Sequence, residues 1–148
     1  EQIHLVIVGR HTEYTDKIER FIKENKLEER VHIISNVPFD DLPAFYQLAE
    51  IFVYPSRFEG FGIPIIEALY SGIPVVAATG SCLEEAGGPD SIYVHPDDIK
   101  GMADAFKQIY SDTERKKEMI EKGQKFAKRF SEEKQAEEIL NIYKKLMK

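Results

Sequence analysis

Two glutamates, Glu59 and Glu67, stand on either side of Gly60, Gly62 and Pro64. A carboxylate can accept hydrogen bonds from two neighbouring hydroxyls, and such charge-assisted bonds are about twice as strong as neutral ones. Gly60 and Gly62 lack a Cβ, so the backbone there can approach a ligand closely. Their amides, with that of Ile63, lie just ahead of the helix that Pro64 opens, where free amides and the helix dipole favour an anion such as a diphosphate. Glu67 then falls about one turn inside that helix, within reach of a diol such as ribose. Glu59 falls on the other side of the glycines, toward a sugar. Two carboxylates separated across the phosphates suit one long ligand better than an acid/base pair on one bond. A nucleotide sugar has that make-up. Taken singly, either glutamate is as well explained by dipole compensation. Both glutamates, both glycines, Pro64 and the strands that flank them together point to a ligand site.

Those strands belong to a regular alternation. Residues 3–8, IHLVIV, form a short β-branched run that predicts a buried parallel strand. Apolar spacing predicts a helix over 15–26, a strand over 31–34, and a helix over 42–49 capped by Asp40 or Asp41. A third strand is expected at 51–54, a helix from Pro64 to about Gly72, a fourth strand at 74–78, a short helix at 83–86 and a fifth strand at 92–94. Beyond His95 the pattern becomes helical: one helix carries Met102, Ala105, Phe106 and Ile109, another runs 112–126, and a last one runs 131–147. Alternating strands and helices imply an α/β, Rossmann-like three-layer domain, with a parallel sheet, helices on both faces and a helical C-terminal segment. Ligands of such sheets bind at the carboxyl ends of the strands. This puts 9–11, 35–39, 55–63 and 79–83 on one functional rim.

The chain has 148 residues, enough for one domain with a core, and 43% hydrophobic and 31% charged residues fit a globular protein. A net charge of −6 argues against a nucleic-acid partner. Cys82, the single cysteine, has no internal disulfide partner and fits a reducing compartment. No apolar run approaches the ~20 residues of a membrane span. The chain opens without Met, and the expectation is an excised domain whose missing part lies upstream.

The segment 55–77, PSRFEGFGIPIIEALYSGIPVVA, closely resembles the signature of the group 1 (family 4) retaining glycosyltransferases of GT-B architecture. Their pattern is P-S-x-x-E-G-F-G-x-P-x-x-E-A-x-x-x-G-x-P-V-V-A. The flanks agree: LVIVG at 5–9, RVHI at 30–33, LPAFY at 42–46, and LEEAG at 83–87 in place of the family's L-P-E-x-x-G, with Glu84 standing where proline is usual. The resemblance covers nearly the whole chain, but only the C-terminal, donor-binding half of such an enzyme, with the N-terminal acceptor domain absent. It implies a nucleoside-diphosphate sugar donor and glycosyl transfer with retention in glycan or polysaccharide biosynthesis, without metal or cofactor. Glu59 would be catalytic, stabilising the developing cation at the sugar. Gly60, Phe61, Gly62 and Ile63 would contact sugar and diphosphate, Glu67 the ribose, Val37 the region of the base and Ser81 the phosphate side. The family's basic pair that grips the diphosphate lies upstream of 5–9. The chain alone is therefore expected to bind donor weakly and to transfer no sugar efficiently. The acceptor, a glycan or lipid-linked glycan, would come through the N-terminal domain. The whole enzyme is expected in the cytoplasm, peripheral to a membrane at most. The alternatives are a non-catalytic nucleotide-sugar-binding domain and a GT-B sugar-nucleotide epimerase.

The remaining polar residues have plainer readings. Arg10 and His11 read as a plain surface loop, with phosphate or sugar contact as the alternative, Arg57 as a surface or ion-pairing group, with donor contact as the alternative, His4 and His32 as structural, and His95 as a strand exit. No second His or Cys stands at ligand spacing from His95, so no metal site is expected. The basic run Arg115-Lys116-Lys117 with Lys122 alternates with Glu114, Glu118 and Glu121 and reads as a solvated helix face. Phe126, Phe130, Ile139 and Tyr143 read as core or interdomain packing.

Overall fold

The computed structural model describes residues 3–147. The strands are β1 (Leu5–Val8), β2 (Val31–Ile34), β3 (Phe52–Tyr54), β4 (Val75–Ala78) and β5 (Ile92–Val94). The helices are α1 (Glu13–Glu24), α2 (Leu42–Leu48), α3 (Ile63–Tyr70), α4 (Leu83–Gly87), α5 (Ile99–Ser111), α6 (Thr113–Ala127) and α7 (Glu132–Leu146). All strand pairs are parallel, in two sheets ordered β1–β2 and β3–β4–β5. The chain forms two compact units, one ending at Leu42 and the other beginning at Pro43.

In the first unit, Leu5 pairs with Val31 and Val8 with Ile34. The buried strand expected at 3–8 needs correction. Leu5, Val6 and Val8 are 47%, 46% and 40% exposed. Among the described residues β1 pairs with β2 alone, so one of its edges has no neighbouring strand. The capping expected at Asp40 or Asp41 is also corrected. Both lie in a 3-10 turn, Phe39–Asp41, that runs straight into α2.

The second unit has a fully buried central strand. All four residues of β4 are at 0% exposure. Successive side chains of a strand point to opposite faces. Accordingly Val75 and Ala77 join a core with Ile65, Ala68 and Leu69 of α3 and Leu83 and Ala86 of α4, whereas Val76 joins Ala105 and Ile109 of α5 and Met119 of α6. Helices therefore cover both faces of this sheet, as expected of the Rossmann-like class. Three helices start on acceptor side chains: Asp98 Oδ1 takes the Gly101 amide at 2.8 Å, Asp112 Oδ1 the Arg115 amide at 2.9 Å, and Ser131 Oγ the Lys134 amide at 3.3 Å. Helix α7 buries none of its residues, and Ile139 and Tyr143 are 55% and 60% exposed. Neither is core in this chain. Among the described residues no helix is long and apolar enough to cross a membrane.

Candidate functional site

The site forms where β3 ends and α3 begins. Residues 55–62 cross from strand to helix, and Gly62 is the N-cap of α3 with φ of 103°, a left-handed conformation that strains any residue with a Cβ. Space makes a second demand there. A Cβ at Gly62 would stand 2.9 Å from Leu83 Cδ2 and 3.3 Å from Ala86 Cβ, because α4 packs directly beneath the turn. A Cβ at Gly60 would meet nothing within 4 Å. The first helical bond runs from the Ile65 amide to the Gly62 carbonyl at 2.9 Å. Among the described residues, the amides of Phe61, Gly62 and Ile63 have no protein acceptor. They are the orphan donors of a helix start, which suit an anion.

Each glutamate of the motif is half-buried and held by a tyrosine. Tyr46 Oη of α2 donates to Glu67 Oε2 at 2.8 Å, and Tyr54 Oη at the end of β3 donates to Glu59 Oε1 at 2.8 Å. Burial, and then the bond to Glu67, push the Tyr46 phenol well above its ordinary range. Burial and the bond to Glu59 push Tyr54 up to about 12. Both phenols therefore stay neutral donors around pH 7, which fixes the direction of each bond. Phe52 lies between the tyrosines, 5.4 Å from the Tyr46 ring and 5.8 Å from the Tyr54 ring, centre to centre. Glu59 is held a second time through its backbone, whose carbonyl accepts from Cys82 Sγ at 3.3 Å.

The loop after β4 is closed by Glu84. Its Oε1 accepts from the Thr79 hydroxyl and, at 3.2 Å, from the Gly80 amide. These two donors hold the Glu84 carboxyl below the usual range. Ser81 Oγ accepts from the Leu83 amide at 3.4 Å, leaving its hydroxyl hydrogen to another partner. Arg57 pairs with Asp97, whose carboxyl is held low mainly by that bond. The ion-pair reading of Arg57 thus holds. So does the solvated-face reading of α6: Arg115 pairs with Glu118, Lys117 with Glu114, and Lys122 with Glu118 and Asp90.

A profile of the family described as glycosyl transferases group 1 matches residues 1–126. The chain belongs to that family. It is 32% identical over 142 residues to the O-antigen chain mannosyltransferase B of Escherichia coli, covering 96% of this chain and 37% of that one. Sucrose-phosphate synthase of Thermosynechococcus elongatus superposes with a TM-score of 0.84 at 26% identity, over 97% of this chain and 38% of that one. Anabaena HepE, solved in complex with UDP, gives a TM-score of 0.87 at 22% identity, over 97% of this chain and 41% of that one. The chain therefore spans well under half the length of these proteins. The likeness in structure is that of the fold.

Within this group 1 chain, the structure brings Glu59, Gly60, Phe61, Gly62, Ile63, Glu67, Ser81 and Cys82 into the second unit, with 55–62 and 79–84 joined by the Cys82–Glu59 bond. Val37, half-buried in the segment after β2, belongs to the first unit, as do Arg10 and His11. His11, Asp16 and Glu19 bring three ligand atoms within 4.8 Å of one another, a trio the spacing of histidines did not reveal, but all three are exposed, with His11 Nε2 3.4 Å from Asp16 Oδ1 and 3.9 Å from Glu19 Oε1. Phe126 and Phe130 serve packing as expected, with rings 5.8 Å apart, and Phe61, expected to contact the donor, packs its ring edge-on against Phe130 at 5.5 Å. An open apolar hollow of 290 Å³ lies between Pro55, Pro96 and α5, lined by neither glutamate. Sequence reasoning missed the roles of Tyr46, Tyr54, Cys82 and Glu84. Cys82, inside 79–83 on the ligand rim, and Tyr54, at the carboxyl end of a strand beside it, carried a positional signal.

Proposed function

We propose that this chain is the C-terminal, donor-binding domain of a GT-B glycosyltransferase and binds a nucleoside-diphosphate sugar. The observation that carries the reading is the pair of tyrosine-held carboxylates, Glu59 and Glu67, flanking a turn of unpaired amides at the start of α3. The amides of Phe61, Gly62 and Ile63 take the diphosphate, Glu67 the ribose and Glu59 the hydroxyls of the donor sugar, with Ser81 on the phosphate side. The UDP held by HepE and the mannosyltransferase relative support a nucleotide-sugar ligand. In the whole enzyme the glycosyl group passes with retention to a glycan or lipid-linked acceptor bound by an N-terminal domain. As the bond to the diphosphate breaks, helix dipole and amides stabilise the leaving charge, and Glu59 stabilises the positive charge that develops on the sugar. No metal is required in this reading.

Calorimetry against UDP, GDP and ADP and their common sugars tests it. One nucleotide should bind selectively, and Glu67→Ala should weaken it by ~1–3 kcal/mol, the loss expected when hydrogen bonds to a charged group disappear. Unchanged affinity in that variant would reduce Glu67 to dipole compensation.

A further inference from the structure

We propose that Tyr46 and Tyr54 are positioning residues, one for each carboxylate, and that the ring column Tyr46–Phe52–Tyr54 sets the spacing between the ribose-binding and sugar-binding ends of the site. The inference rests on the donor-site reading above. A glutamate side chain has several rotamers, and a carboxylate that must meet two hydroxyls at once is useful in only one of them. A carboxylate offers about four lone-pair sites. Tyr46 occupies one on Glu67 at Oε2, and Tyr54 one on Glu59 at Oε1, both at 2.8 Å. Each carboxylate keeps a second oxygen for a ligand. The donors are themselves anchored. Tyr54 is the last residue of β3, in register with Ala77 of the buried β4, and the Tyr46 ring packs on Phe52 of that strand. One three-residue strand thus indexes both carboxylates, although Tyr46 reaches Glu67 from 21 positions upstream.

Tyr→Phe keeps each ring, and therefore the column, and removes only the hydroxyl. The test uses the full chain and whichever of UDP, GDP or ADP it binds, with the dideoxyribose analogue of that nucleotide and its hexose-linked form. Tyr46→Phe should weaken the ribonucleotide about two- to tenfold, the range of one hydrogen bond, and leave the dideoxy analogue within twofold. Tyr54→Phe should leave the bare nucleotide unchanged and weaken the nucleotide sugar by the same factor. Equal weakening of ribo- and dideoxy-nucleotide in Tyr46→Phe, or no weakening of either, would overturn the positioning role. So would equal weakening of nucleotide and nucleotide sugar in Tyr54→Phe. Wild-type protein that binds none of the three nucleotides would instead overturn the donor-site reading, and this assignment with it.

Discussion

Gly60 and Gly62 stand two positions apart and are constrained for different reasons. Gly62 sits at φ of 103° with Leu83 and Ala86 against it, whereas Gly60 has open space around its Cα. Alanine at 62 must carry left-handed strain of ~1–2 kcal/mol and crowding of ~1–3 kcal/mol. Gly62→Ala should therefore lose roughly 2–5 kcal/mol in urea denaturation. Gly60→Ala should lose less than about 0.5 kcal/mol, and its cost should appear in nucleotide affinity. Equal destabilisation by both would mean that the turn is constrained by something other than the packing of α4. The phenols make a second prediction. Tyr54 and Tyr93 are both raised to about 12, each chiefly by burial, above the unfolded value of 10.0. Their contribution to stability is full below pH 10 and is lost as pH rises toward 12. The melting temperature should fall across that window, and less steeply in Tyr54→Phe or Tyr93→Phe. An identical alkaline slope in the variants would show that other groups carry it. The spacing of the glutamates was legible because both lie in one motif. The tyrosine bond to Glu67 was not, because its donor is 21 residues away and nothing local marks it.

Among the elements, period and punctuation carried most of the information. The β-branched run of β4, and Pro64 followed by Ser71-Gly72, defined a strand and a helix close to the observed β4 and α3. Composition alone misjudged β1, which reads like β4 but is exposed, because burial depends on what lies on either side of a strand. The same ambiguity affected α7, whose apolar stripe looks like a core face. These differences set up a comparison. Ile65 in α3 is at 0% exposure within the larger core, so Ile65→Ala should cost about 2–5 kcal/mol through lost burial and the cavity left behind. Ile139→Ala in α7, at 55% exposure, should cost well under that, near the ±0.5 kcal/mol of surface changes plus a small loss of helical packing. Chemical denaturation of both variants checks the ordering, and a reversed order would mean that α7 belongs to the cooperative core of this chain.

For the molecule as a whole, the donor-site reading separates binding from transfer. Every group assigned to nucleotide and sugar in that reading lies in the unit that begins at Pro43, while the chain covers only 37% of the mannosyltransferase it resembles. A ligand that binds the folded state alone stabilises it by RT ln(1 + [L]/Kd), about 2.7 kcal/mol at a hundredfold excess over Kd. The 148-residue chain should therefore show a melting temperature that climbs with the logarithm of nucleotide concentration, and Glu67→Ala should shift that curve to higher concentration without changing the ligand-free value by more than the loss of its one half-buried hydrogen bond to Tyr46. The same chain, given the matching nucleotide sugar and an acceptor glycan, should release no nucleotide above the rate of spontaneous hydrolysis, because transfer needs an acceptor held against the donor's anomeric carbon and the assigned residues bind only the donor. Nucleotide release by a coupled assay measures this. Turnover by the 148-residue chain would place the acceptor site within these residues and overturn the division of labour proposed between the two domains.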